Sequence, residues 1–132
     1  MTAGYSGTPL ARKLSLKDGL RVRWEGMPDS VRAELEAADL GLTPADERID
    51  AAHVFVTRRA ELEEALARLL PHLARDGFLW VSWPKKASKV PTDITEDVIR
   101  DVALPTGLVD VKVCAVDDTW SGLKLMIRRD RR

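Results

Sequence analysis

The residue types with the clearest chemical potential are cations. The stretch WPKKASKVPTDITEDV, residues 83–98, places Lys85, Lys86 and Lys89 inside five positions. Ammonium groups this close act as point charges for phosphate or carboxylate. Asp93 with Glu96 three residues on reads as a capping box opening a helix. A helix N-terminus, which favours negative charge, is therefore expected beside the lysines. A charged connector at a domain surface is the plainer reading of the same residues. A second group lies in DDTW. Asp117 and Asp118 can act as bases, though acids in turns are usually turn formers. The Trp120 indole can stack on a planar ligand or close over the core.

Nucleophiles and metal ligands have less support. His53 lies inside the apolar run AAHVFVT and is expected to be a satisfied core histidine. His72 follows Pro71 near a helix end, where a cation is mildly favourable. Neither has an evident acidic or nucleophilic partner, so a Ser/His/Asp arrangement is not expected. Cys114 is the one cysteine. An intrachain disulfide and a cysteine-based zinc site are thereby excluded, and a small buried hydrophobe is expected. HVF and PHL lack metal-ligand spacing. Neither GxxxxGK[ST] nor GxGxxG is present. No catalytic residue and no metal ligand is assigned.

The surrounding elements fix where these groups fall. LRVRWEG alternates Leu20, Val22 and Trp24 with Arg21, Arg23 and Glu25, which predicts a strand over 20–25 with one polar face. MPDSVRAELEAADLG predicts a helix, with Val31, Leu35 and Ala38 on one side, Asp29 or Ser30 capping it and Gly41 ending it. A short helix is expected over 9–14, a turn at KDG, and an irregular link with a vestigial strand at LTPADERID. The unbroken apolar runs 51–57 and 78–83 suit central strands covered on both faces. Between them, Leu62, Leu66, Leu69 and Leu73 make a helical stripe that Pro71 must interrupt and Gly77 ends. Ile94, Val98 and Val102 give another helix. LVDVKVCAV puts Val109, Val111, Val113 and Ala115 on one face of an edge strand, and SGLKLMI forms the last strand. Trp24, Trp80 and Trp83 are expected to pack.

Strands alternating with helices predict a three-layer α/β sandwich with a mostly parallel sheet. The last two strands are joined too tightly for a crossover and form a C-terminal antiparallel hairpin. The final strand is placed between 78–83 and 109–116. Ligands in such sheets sit outside the carboxyl ends of the strands. Arg58, Lys85, Lys86, Lys89, Asp117, Asp118 and Trp120 therefore form one candidate ligand-binding rim, with the lysines facing the acids as ion-pair partners.

The totals bound the rest. The chain has 132 residues, 45% hydrophobic and 32% charged, which suits one globular domain over 1–132, with 1–7 and 129–132 loose. Lys plus Arg and Asp plus Glu are both 21, so net charge is zero. That argues against nucleic acid as a general partner; the basic tail RRDRR, residues 128–132, is the local exception. Nothing approaches the ~20 consecutive apolar residues of a membrane span, and the start lacks the apolar middle of a signal peptide. A reducing cytoplasm is the expected location. A small anionic ligand or a protein partner is the expected class of partner.

Two resemblances follow from longer segments. LARLLPHLARDGFLWVSWPK and LSLKDGLRVRWEG resemble the leucine-rich helix, glycine turn, central strand and lead-in to the first strand of Rossmann-like S-adenosylmethionine-dependent methyltransferases. The resemblance implies that fold and that cofactor. The family's glycine-rich loop, roughly GxGxG, is replaced here by WEGMPDS, with Gly26 alone, so none of the family's cofactor-binding residues carries over. S-adenosylmethionine is accordingly disfavoured. More specifically, WPKKAS, TDIT, GLVDVKV and DDTWSGL resemble motifs of a family of small, uncharacterised bacterial proteins. That likeness implies membership and no activity. The expected function is a non-enzymatic binding or regulatory module, with a divergent methyltransferase-like enzyme as the alternative.

Overall fold

The computed structural model describes residues 8–132; the expected loose segment 1–7 lies outside them. The elements are α1 (Leu10–Lys13), β1 (Arg21–Glu25), α2 (Asp29–Ala37), β2 (Thr43–Pro44), β3 (Ile49–Phe55), α3 (Arg59–Leu69), β4 (Leu73–Pro84), α4 (Glu96–Ala103), β5 (Leu108–Ala115) and β6 (Trp120–Ile127). One sheet contains the strands in the order β2-β1-β3-β4-β6-β5. The first four are parallel, and β6 runs antiparallel to both β4 and β5. The expected architecture and the expected place of the last strand are both found. Residues 116–119 are too few to carry a crossover, so β6 must turn straight back.

Each face of the sheet buries its own core. On one, Leu62, Leu66 and Leu69 of α3 and Ile99 of α4 pack on Val54, Leu79, Val81, Leu123 and Leu125. On the other, Leu10 of α1, Leu14 just after it, and Val31 and Leu35 of α2 pack on Val22, Phe55, Phe78 and Trp80. Each buried leucine contributes about 1.5–3 kcal/mol relative to exposure. The vestigial strand is real but minimal. Only Arg21↔Thr43 and Val22↔Pro44 pair, so β1 is nearly an edge. No helix among the described residues is long and apolar enough to cross a membrane.

Three local expectations are corrected. The helix α2 has Pro28 at its N-cap, with Asp29 in the first turn and no side-chain cap; it ends before Asp39, which takes φ 53°, rather than at Gly41. Aspartate tolerates the left-handed region better than most residues. Gly77 does not precede the strand but lies inside β4, at an irregularity where the register jumps from Ile49↔Leu73 to Ala51↔Phe78. A Cβ there would meet the carbonyls of Ile49 and Asp50 at 2.9 Å, so only glycine admits this approach. In the tail, Arg128 N–H donates to Gly107 O at 2.9 Å and Arg132 Nε to Ile127 O at 2.8 Å. Finally, Val109 and Val113 do not share one face: they pair with Met126 and Leu123, which point to opposite sides of β6. Val109, Val111 and Val113 are 39%, 48% and 44% exposed. A register shift between Asp110 and Lys112 breaks the alternation, as a β-bulge does.

Candidate functional site

The lysine connection leaves β4 at Pro84, which pairs with Trp120 at the start of β6. Lys85 N–H donates to Thr119 O at 2.7 Å. Ser88 Oγ closes the loop on Lys85 O at 2.6 Å, and Lys89 takes φ 62° to turn the chain back. Lys85 is half-buried; Lys86 and Lys89 are exposed. The backbone therefore brings Lys85 to the turn that carries Asp117, Asp118 and Trp120, with Lys86 and Lys89 following in the same loop.

The expected lysine–aspartate clamp does not form. Among the described residues, none of the three lysines ion-pairs with Asp117 or Asp118. The Asp117 carboxylate is occupied by Thr119 N–H and Trp120 N–H, both at 2.8 Å. It is a turn former, as short acidic side chains at turns are. The two loops are tied by backbone, and the ammonium groups are left over.

Arg58 sits at the N-cap of α3, linked to the far end of the same loop. Thr57 O accepts from Asp93 N–H and from Thr92 Oγ1 at 2.7 Å. Asp93 caps a helix, but not the expected one. Its carboxylate accepts Arg59 N–H at 2.7 Å, while Thr95 caps α4 by accepting Val98 N–H at 3.2 Å. Glu61 accepts Thr57 N–H and Arg58 N–H, and the first of these bonds chiefly holds its carboxyl below the usual range. The N-terminus of α3 thus already carries two carboxylates.

At the end of β1, where a glycine-rich loop would stand, a lone glycine lies tight against β3. Gly26 takes φ 69°, and a Cβ on it would stand 2.8 Å from Phe55 O. Met27 is buried. Phe55 meets Trp120 edge-on at 5.2 Å between ring centroids, so Trp120 packs on the core while half-exposed to the rim. Gly26→Ala is expected to cost about 1–3 kcal/mol through backbone strain and this clash; a urea unfolding midpoint checks it.

His53 is fully buried. Its Nε2 lies 2.7 Å from Ser82 Oγ, a partner that the sequence did not disclose. Its Nδ1 has no hydrogen-bond partner, so the expected satisfaction is only half met. Desolvation lowers its pKa to about 3. The ring stacks on Phe55 at 4.4 Å, inside the core and away from solvent. Cys114 is half-buried, with its thiol pushed up chiefly by burial. No group of three or more His, Cys, Asp or Glu side chains arranged to hold a metal occurs among the described residues.

Two cavities lie elsewhere. One of about 1010 Å³ follows the exposed edge of β1 and is lined by Arg23, Trp24, Arg32, Leu35, Asp46 and others. The other, about 240 Å³, lies by Gly26, Glu61 and Arg68. Neither is lined by a rim lysine, by Asp117 or by Trp120. Between them Arg23 holds Asp46 at 2.9 Å, and Glu25 bonds to both Arg23 and Arg68. Burial pushes the Glu25 carboxyl up, but the two guanidinium groups outweigh it and hold it low. Of these residues, Arg23 and Glu25 belong to the polar face expected for the strand over 20–25, and Asp46 and Arg68 carry no signal in the sequence. The one sequence signal for the larger cavity was the shortness of the link 41–48, which leaves β1 uncovered.

The fold has many solved relatives in shape. A methyltransferase dependent on S-adenosylmethionine from Aquifex aeolicus is similar over 90% of this chain and 88% of its own, at TM-score 0.59 and 14% identity. Fibrillarin from Aeropyrum pernix, with natively bound S-adenosyl-L-methionine, is similar over 93% and 70%, at TM-score 0.55 and 14% identity. Magnesium protoporphyrin IX methyltransferase from Synechocystis, also with the cofactor bound, is similar over 84% and 71%, at TM-score 0.55 and 12% identity. At such identities the likeness establishes the methyltransferase-like Rossmann fold alone. No curated protein matches the sequence. A family model does, over residues 11–129, and by that match the chain belongs to the family described as "Protein of unknown function (DUF3052)".

Proposed function

We propose that the chain is a non-enzymatic binding module whose rim, at the carboxyl ends of β3, β4 and β5, takes a small anionic ligand. One observation carries this: the backbone N–H of Lys85 ties the lysine loop to the Trp120 turn, Lys86 and Lys89 follow in the same short loop, and none of the three has an ion-pair partner among the described residues. Cations fixed without counter-charge favour an anion. Arg58 closes the far side of the loop, and the half-exposed Trp120 offers a surface for a planar group. S-adenosylmethionine, which the fold suggests, fits these residues poorly. Gly26 stands alone, and a Cβ on it would already meet Phe55 O at 2.8 Å.

A thermal-shift panel of nucleotides, polyphosphates and carboxylates tests the rim. At least one anion is expected to raise Tm, and Lys86→Ala is expected to remove most of that rise. No response to any anion, or a response unchanged in Lys86→Ala, sinks the proposal. The second reading, a divergent methyltransferase-like enzyme, is favoured by the cofactor-bound neighbours. Calorimetry separates the two. Heat of binding with millimolar S-adenosylmethionine would support the enzyme, and its absence the module.

A further inference from the structure

We propose that the β5–β6 face beside α1 holds a second anion site, formed by Lys112, Lys124 and Ser15, that takes a phosphoryl group. It lies apart from the rim and goes beyond the proposed function.

Lys112 and Lys124 are direct cross-strand partners and share one face. Like charges placed opposite each other in a sheet are destabilising. Among the described residues neither lysine has an ion-pair partner. The irregularity in β5 creates this situation. In an unbroken strand Asp110 and Lys112 would point the same way, and a carboxylate would stand beside the lysines. Instead Asp110 pairs across from Leu125, on the α4 side, where Arg100 Nε holds it at 3.0 Å. Lys112 pairs across from Lys124 on the other side. Bulges often re-aim side chains next to functional sites; this one removes the acid and leaves two cations together.

The rest of the site is built around them. Lys124 is part-buried, with Nζ 4.6 Å from the Phe78 ring centroid and 3.0 Å from Ser15 Oγ. Lys112 Nζ stands 5.9 Å from the centroid of Trp80. Ser15 Oγ accepts from Lys124, which leaves its own O–H to donate to a ligand. Ser15 is held at φ 63°, a left-handed conformation uncommon for serine. Such strain tends to concentrate at functional positions. Burial, and then Lys112, push the Lys124 ammonium below its ordinary pKa. A phosphoryl oxyanion bridging the two ammonium groups would relieve the repulsion and take the serine proton as a third bond.

Thermal unfolding in inorganic phosphate, against chloride at equal ionic strength, tests the site. Phosphate at ten times its dissociation constant is expected to raise Tm by about 5 °C. Lys112→Met and Lys124→Met keep apolar stems over Trp80 and Phe78 and are expected to lose that response. In chloride, Lys112→Met should unfold about 1–2 °C above the parent, because the repulsion is gone. Ser15→Gly relaxes the backbone and should weaken the response, while Lys86→Ala should leave it intact, which separates this site from the rim. Short single-stranded DNA and phosphatidylglycerol vesicles, at matched phosphate, distinguish polymer or lipid phosphodiesters from a free phosphate; a response to any of the three that needs both lysines supports the site. The proposal is overturned if none acts on the parent protein, if both methionine variants respond like the parent, or if Lys112→Met unfolds below it in chloride.

Discussion

Trp80→Ala is expected to lower stability by about 3–5 kcal/mol, a large part of the 5–15 kcal/mol that holds a domain folded. The indole is 1% exposed and lies at the centre of the sheet, on β4, with His53 of β3 on one side and Lys124 of β6 on the other. Its Nε1 donates to Leu14 O at 3.0 Å, which fastens α1 to the sheet. Truncation leaves a cavity and an unpaired carbonyl at Leu14, itself fully buried. Both costs act together. Trp80→Phe should lose much less, on the order of 1–2 kcal/mol, because a ring still fills most of the space. Urea unfolding of both variants measures the difference. An alanine variant as stable as the parent would show that α1 does not depend on this anchor.

Acidification should destabilise the fold through His53. Burial lowers its folded pKa to about 3, against an ordinary value of 6.5. Below about pH 6.5 the unfolded chain takes up a proton that the folded chain refuses, so stability falls as pH drops and levels off near pH 3. The full contribution, present above pH 6.5, is at most about 5 kcal/mol. Glu25 and Glu61 have lowered values too, but their losses begin only near 4.5. The interval from pH 6.5 to 5 therefore isolates the histidine. His53→Gln keeps a hydrogen-bonding group for Ser82 and cannot titrate there. Urea midpoints taken through this interval should slope for the parent and stay nearly flat for the variant. Equal slopes would assign the effect to another group.

Much of the architecture could be read from pattern. The apolar runs around Val54 and Val81 are continuous because α-helices cover both faces of β3 and β4. The Leu62, Leu66 and Leu69 stripe fixed which side of α3 turns inward. The shortness of DDTW forced the antiparallel hairpin. Reading the rim required only the rule that such sheets keep their loops at the strand ends, and the lysine loop does lie against the Trp120 turn. Pairings between side chains were less legible. Asp93 had Glu96 at capping distance in sequence, yet it caps α3, because the loop folds back and Thr95 is nearer the α4 amides.

Periodicity and connection length are local properties, and they settled the element order, the buried stripes and the sheet direction of this chain. Three matters lay outside those patterns, and only the folded structure decided them. Asp117 spends its carboxylate on its own turn, so the lysines stay unpaired. His53 meets Ser82 across two strands, 29 positions apart, and is buried as a neutral base. The irregularity in β5 turns Asp110 to Arg100 and Lys112 to Lys124, because a strand that gains one residue reverses the face of all that follow. An alternating pattern says which residues share a face only while the ladder is unbroken, and here the break lies between the acid and the base.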